Sequence, residues 1–257
     1  MASHPFFEGL TSPRILAHRG LVTDEMREEG IAENSVAAIA AAHAAGAEIV
    51  ESDCHLTSDG VVVLFHDDNL QRVADDPRAL ADVTLAELEQ IMSTRGGLAT
   101  LAQALDAFPE SRFNIDVKAA AAAVPAGEIV APHASRVLLT SFSDKRRKTA
   151  LAAARRAGGS PATSAGYSVI LRLAAAVRIL PLADVIRRIL RGIDALQIPE
   201  RSGPIRVVTE RLIAAAHANG VEVHVWTVND LDDMRRLLDM GVDGIVTDVA
   251  DRALAAR

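Results

Sequence analysis

The sequence predicts an α/β protein built as a single (β/α)8 TIM barrel, with an inserted β-hairpin strand after the second barrel strand. Three observations carry this expectation. Short apolar, β-branched runs alternate with segments rich in Ala, Leu, Arg and Glu along the whole chain, the pattern of repeated βα units around a parallel sheet. There are eight such runs, and a barrel of this kind uses about 250 residues, close to the 257 present. No Gly/Ser linker or shift of composition divides the chain, so residues 1–257 read as one domain. An open, doubly wound sheet is the structural alternative for the same units.

The strands are expected at Arg14 to His18, Glu48 to Asp53, Phe113 to Lys118, Val137 to Phe142, Ala162 to Tyr167, Asp194 to Ile198, Glu222 to Val228 and Gly244 to Asp248. After the second, Asp59-Gly60 is a turn signal, and Val61 to Phe65 reads as a further strand pairing back on it, with His66 emerging at its end. Helices are expected at Ser35 to Ala45, Leu101 to Phe108, Asp144 to Ala157, Thr209 to Ala218 and Leu231 to Met240. Gly46, Gly158, Gly220 and Gly241 stand where four of them stop, the place of a left-handed C-cap. The alanine tract Ala119 to Ala123 runs into Pro125 and reads as a short loop or helix turn.

Composition narrows the function classes. With 49% hydrophobic and 24% charged residues, the chain is neither disordered, collagenous nor a coiled coil. Only 3% of residues are aromatic, so the core is aliphatic and a base-stacking platform is not expected. The formal charge of −7 argues further against nucleic acid, and any phosphate must be bound locally. Cys54 is the only cysteine, so there is no intrachain disulfide and no mark of an oxidising compartment. The N-terminus lacks a basic region followed by an apolar one, and no uncharged apolar run reaches about 18 residues. A cytoplasmic location is the expectation.

In such a barrel, chemistry belongs at the C-terminal ends of the strands, and the reactive residues cluster there: His18 and Arg19, Glu51 and Asp53, Asp116 and Lys118, Trp226 and Asn229, and Asp248. Glu51 and Asp53 are two apart on one strand, so their carboxylates leave the same face. With Asp116 they would repel one another unless a cation neutralised them, which predicts an oxygen-bound divalent metal, Mg²⁺ or Ca²⁺. Arg19 suits two oxygens of a phosphodiester, and Gly20 lets the chain turn closely behind it. His18 and His66 are two imidazoles near the acids, a pair able to act as general base and general acid near neutral pH. The remaining histidines, His4, His43, His55, His133, His217 and His224, read as structural.

These residues fall within longer motifs. LAHRG at 16–20, ENS at 33–35, VESDCHLTSDGVVVLFHDDNLQRV at 50–73, FNIDVK at 113–118, VWTVND at 225–230 and DGIVTD at 243–248 together resemble the glycerophosphodiester phosphodiesterase family, from about Ile15 to Asp248. The resemblance implies a (β/α)8 barrel that hydrolyses glycerophosphodiesters to glycerol 3-phosphate and an alcohol with a divalent cation. It implies His18 and His66 as the catalytic pair, Glu51, Asp53 and Asp116 as metal ligands, and Arg19 and Lys118 as phosphate contacts. Glu33 takes a supporting or substrate role, and Trp226 lines the pocket. Two positions depart from the family pattern. Asp116 stands where glutamate is usual and ends one methylene, about 1.5 Å, short of a cation whose ligand distances are about 2.0 to 2.6 Å. Ser35 replaces threonine but keeps a hydroxyl for a helix N-cap. The attacking group is left open between water and a neighbouring glycerol hydroxyl.

Ser168 to Arg191 is unused by this reading. Val169, Ile170, Leu173, Val177 and Leu180 have helical spacing, Pro181 follows, and Arg172, Arg178, Arg187, Arg188 and Arg191 outnumber Asp184. The favoured expectation is that its apolar face covers the sheet or a partner subunit; contact with anionic lipid is the alternative. The competing functions are lysophospholipase D or sphingomyelinase D-like action on lipid headgroups, and a catalytically silent barrel that binds phosphate.

Overall fold

The structure, a computed structural model, describes residues 4–179 and 182–257. Leu180 and Pro181, and the first three residues of the N-terminal reading, lie outside the described residues. In chain order the strands are β1 (Arg14–His18), β2 (Ile49–Leu56), β3 (Val62–Leu64), β4 (Arg112–Val117), β5 (Val137–Thr140), β6 (Ala162–Thr163), β7 (Ala195–Pro199), β8 (Arg201–Ser202), β9 (Ile205–Arg206), β10 (Glu222–Trp226) and β11 (Gly244–Thr247). Eight are parallel and hydrogen-bonded in the order β6-β5-β4-β2-β1-β11-β10-β7. The two ends of that order meet where Ser164 bridges Ala195 in parallel and the Ala165 N–H donates to the Ala195 carbonyl. The sheet is therefore a nearly closed barrel, not an open one.

β3 is the expected hairpin strand, antiparallel to β2 with Cys54 opposite Leu64. The insert it begins has its own small core of Val63, Phe65, Leu70, Leu80, Leu88 and Met92, which fixes the chain around His66. The four expected glycine caps all lie at positive φ, from 70° at Gly220 to 95° at Gly241. The alanine tract is a turn leading into a helix at Ala123–Val130 that holds Pro125 in its first turn.

Several expected boundaries are corrected. β5 stops at Thr140 because Ser141 turns its hydroxyl to the Val117 carbonyl and Ser143 caps the helix Asp144–Arg156. β6 stops at Thr163, and Tyr167 opens a helix (Tyr167–Ile179) whose first N–H groups, at Ser168 and Val169, are taken by the Asp144 carboxylate. β10 ends at Trp226, which leaves Asn229 in the following loop. The hairpin β8–β9 and the helix Leu85–Met92 fall outside the expected elements, although Leu85, Leu88 and Met92 have helical spacing behind a Thr84–Glu87 capping box.

Inside the barrel the side chains stack in layers. Leu16, Ile49, Leu138, Ala162, Ala195 and Val246 form the dry layer, closed from the N-terminal end by Phe6 and Phe7. Above it, the same alternation turns His18, Glu51, Asp53, Asn114 and Asp116 toward the mouth.

Candidate active site

Parallel register decides which of these side chains meet. His18 pairs with Glu51 across β1 and β2, Glu51 with Asn114 and Asp53 with Asp116 across β2 and β4. Ala17 pairs with Thr247 across β1 and β11, so the next step brings His18 beside Asp248. A cavity of about 520 Å³ opens above them, lined by His18, Arg19, Glu51, Asp53, His66, Asp116, Lys118 and Trp226 among others. Eight of the nine expected site residues thus line one cavity.

Glu33, the ninth, lies beside it. It accepts from Arg19 Nη1 at 2.7 Å and from Arg72 Nη2 at 2.6 Å. Arg19 itself has a positive φ of 59°, and Gly20 follows at 84°. A Cβ on Gly20 would sit 2.7 Å from the Ala38 carbonyl carbon, so the turn packs directly on the helix Val36–Ala44. Ser35 caps that helix by accepting from the Ala38 N–H.

Each imidazole of the expected pair is held by a carboxylate. His18 Nδ1 donates to Asp248 Oδ1 at 2.6 Å, and Asn229 steadies Asp248 through its side-chain amide. His66 Nδ1 donates to Asp67 Oδ1 at 2.6 Å, while Arg72 Nε donates to Asp67 Oδ2 at 2.7 Å. Both rings therefore keep Nε2 for the cavity side, and His18 Nε2 stands 4.0 Å from Glu51 Oε2. Burial works against the charged form of His18, but the Asp248 hydrogen bond and the Glu51 charge together raise its pKa. Asp248 is lowered in turn: burial opposes ionisation, and the donors His18 and Asn229 outweigh it.

The three acids differ from the expectation in one respect: Lys118 already stands between two of them. Its Nζ lies 2.9 Å from Asp53 Oδ1 and 2.7 Å from Asp116 Oδ2. Arg19 Nε lies 3.3 Å from Asp53 Oδ2, and the Arg19 N–H donates to Glu51 Oε2. Among the described residues, no three His, Cys, Asp or Glu side chains are gathered as a metal-ligand set. The site is nonetheless short of positive charge. Burial, with the Asp53 charge added, pushes Glu51 up to about 8, and burial also raises Asp116. Asp116 Oδ1 and Asn114 Oδ1 are buried without a partner. These orphaned oxygens and a carboxyl reluctant to ionise are hard oxygen donors, the ligand type that suits Mg²⁺ or Ca²⁺.

Trp226 reaches the mouth half-buried, with Phe142 edge-on to it at 5.7 Å and Lys118 Nζ 5.3 Å from the Phe142 ring. Several contributors escaped the sequence reading. Asn114 follows from Asp116 by alternation, and Asp248, already placed at a strand end, needed only the β1–β11 register. Arg72 stands inside the long motif at 50–73 and Phe142 at the end of an expected strand, but neither had a spacing that singled it out for the site. His55, read as structural, uses Nε2 to bond the His66 carbonyl and so supports the second imidazole's backbone.

The sequence profile of the glycerophosphoryl diester phosphodiesterase family matches residues 18–252. A probable glycerophosphodiester phosphodiesterase of Mycobacterium tuberculosis is 38% identical over 244 residues, covering 92% of this chain and 87% of its own. A lysophospholipase D of Rattus norvegicus is 23% identical, covering 91% and 83%. Among solved structures, a glycerophosphodiester phosphodiesterase of Thermotoga maritima superposes with a TM-score of 0.71 at 22% identity, over 95% of this chain and 97% of that one. A phosphodiesterase of Oleispira antarctica, solved with the product sn-glycerol-3-phosphate, gives 0.71 at 21% identity over 95% and 96%. The barrel, the order of its motifs along it and a profile match over most of the chain agree: this protein belongs to the glycerophosphoryl diester phosphodiesterase family.

Proposed function

We propose that this chain, one barrel domain over residues 1–257 in the cytoplasm, hydrolyses glycerophosphodiesters to glycerol 3-phosphate and an alcohol. One observation carries the reading: two carboxylate-held imidazoles, Arg19 and Lys118 face a single cavity with three buried acids. Glu51, Asp53 and Asp116 would hold a divalent cation, Mg²⁺ or Ca²⁺. When bound, it supplies Lewis-acid stabilisation of charge on the phosphoryl oxygens. Lys118 would then leave its place between Asp53 and Asp116 and, with Arg19, bind the phosphate oxygens as phosphorus becomes five-coordinate. Glu33 and Arg72 hold the Arg19 guanidinium in position, and Trp226 forms the wall against which the substrate lies.

His18, whose pKa is raised with Asp248 holding its Nδ1, is the proton donor to the leaving alkoxide. His66, oriented by Asp67, takes the proton of the attacking hydroxyl. The new P–O bond forms as the P–O bond to the alcohol breaks, and the two imidazoles exchange protonation states. The test is incubation with glycerophosphocholine, with and without Mg²⁺ or Ca²⁺, reading glycerol 3-phosphate. Metal-dependent turnover lost to a chelator supports the reading; binding without turnover assigns a silent phosphate-binding barrel.

A second reading, action on lysophospholipids, is favoured by the apolar side of the cavity, where Phe142, Tyr167, Leu171 and Ile205 meet. It predicts a higher kcat/KM for lysophosphatidylcholine than for glycerophosphocholine.

A further inference from the structure

The rim of the mouth carries a surface that hydrolysis of a small diester does not use. Phe142, Tyr167, Leu171 and Ile205 line the cavity yet are 50, 60, 51 and 51% exposed. Nine large hydrophobic side chains are exposed among the described residues, and seven of them fall between positions 142 and 205. Four of these seven, Phe142, Tyr167, Leu171 and Ile205, thus meet at one rim instead of lying scattered.

The helix Tyr167–Ile179 shows how this is built. Val169, Leu173 and Val177 are buried against the core. Tyr167, Leu171, Ala174 and Arg178, spaced four, three and four apart, form a second stripe that faces the mouth. The hairpin β8–β9 presents Ile205 beside it, tied on by Arg178 Nη2 donating to the Arg206 carbonyl.

Charge follows the same segment. Residues 167–206 hold seven arginines against Asp184, Asp194 and Glu200, a balance of +4, so the rest of the chain carries −11 of the total −7. Arg172, Arg178 and Arg201 bond only backbone carbonyls, at Ser168, Arg206 and Pro204. None of the three has a carboxylate within salt-bridge distance among the described residues. Half-exposed aromatic and aliphatic side chains edged by arginines free of carboxylates, on an otherwise acidic molecule, are complementary to one kind of surface.

We infer that this rim docks on an anionic lipid surface, its apolar side chains entering the headgroup boundary and its arginines meeting lipid phosphates. The acidic remainder of the chain is repelled from the same surface, so docking points the barrel mouth at the lipid. The inference goes beyond the proposed hydrolysis, and its test reads binding without catalysis, so either can fail alone.

The full chain is cosedimented with vesicles of phosphatidylglycerol and phosphatidylcholine at about 0.1 M salt, where the screening length is about 10 Å. Binding is expected to the mixed vesicles and not to pure phosphatidylcholine, and to decline as salt rises. Arg172→Glu combined with Arg201→Glu should weaken it about tenfold or more. Neither residue lines the cavity, so turnover of soluble glycerophosphocholine by this variant should match the wild type, which also reports its folding. Absence of binding to anionic vesicles, or binding indifferent to the two charge reversals, overturns the inference. So does a stable dimer in solution that Ile205→Asp dissociates, which would assign the face to a second copy of the chain.

Discussion

At His66 the consequence of the geometry is direct. The ring is fixed through Nδ1 by Asp67, and its other nitrogen has no hydrogen-bond partner among the described residues. His66→Ala is expected to lower kcat on glycerophosphocholine at least ~100-fold, the scale for losing a positioned acid or base. Near wild-type turnover would remove the two-histidine assignment. The His18–Asp248 pair makes a different prediction, because it concerns where a proton is held rather than whether a base exists. Asp248 helps raise His18, so the donor stays protonated to higher pH. Asp248→Asn should lower kcat and move the alkaline limb of the pH–rate profile toward lower pH; an unmoved limb would show that His18 is not the donor. The same pair couples stability to pH. The raised His18 contributes stability fully below about 6.5, lost as pH rises through its folded value. The lowered Asp248 contributes above about 3.9, lost as pH falls through its folded value.

The turn after β1 is the element on which the site depends most. Arg19 and Gly20 both take positive φ, and the backbone there lies against Ala38 with no room for a Cβ. Gly20→Ala combines an unfavourable backbone conformation with a contact inside 3 Å, and should cost on the order of 1–3 kcal/mol. Urea unfolding measures it, and a shift of midpoint below the equivalent of about 0.5 kcal/mol would contradict the packing described here. The HRG tripeptide made this turn visible in the sequence. The helix Tyr167–Ile179 was visible in its apolar spacing and, to within one residue, in its start at Ser168, but not in its capping, because its N-terminal N–H groups are satisfied by Asp144, 24 residues earlier. A helix end capped from the first turn of another helix leaves no local pattern.

For the molecule as a whole, the decisive quantity is the charge balance inside the mouth. Burial, with the Asp53 charge added, pushes Glu51 up to about 8, so its carboxyl resists ionisation when no cation is near. To ligate a divalent cation Glu51 must be a carboxylate, so Mg²⁺ or Ca²⁺ binding near neutral pH should release protons, and affinity should fall as pH falls below about 8. Titration calorimetry in two buffers of different ionisation enthalpy measures the release. A binding heat independent of buffer would mean that Glu51 is not a ligand or is already ionised.

What the sequence by itself determined is what repeats locally. Alternating apolar runs specified the βα units and favoured a barrel over an open sheet, period-two spacing put Glu51 with Asp53 on one face and Asp116 with Lys118 on another, and turn glycines marked the helix ends. Only the tertiary structure decided who meets whom. Asp248 reaches His18 across 230 positions because the barrel closes with β11 beside β1. Lys118 stands between Asp53 and Asp116 because β2 and β4 are neighbours in this register and no other. The physical reason is that a side chain's face is a property of its own strand, whereas its partner depends on strand order and register, which are set by closing the sheet around one packed interior.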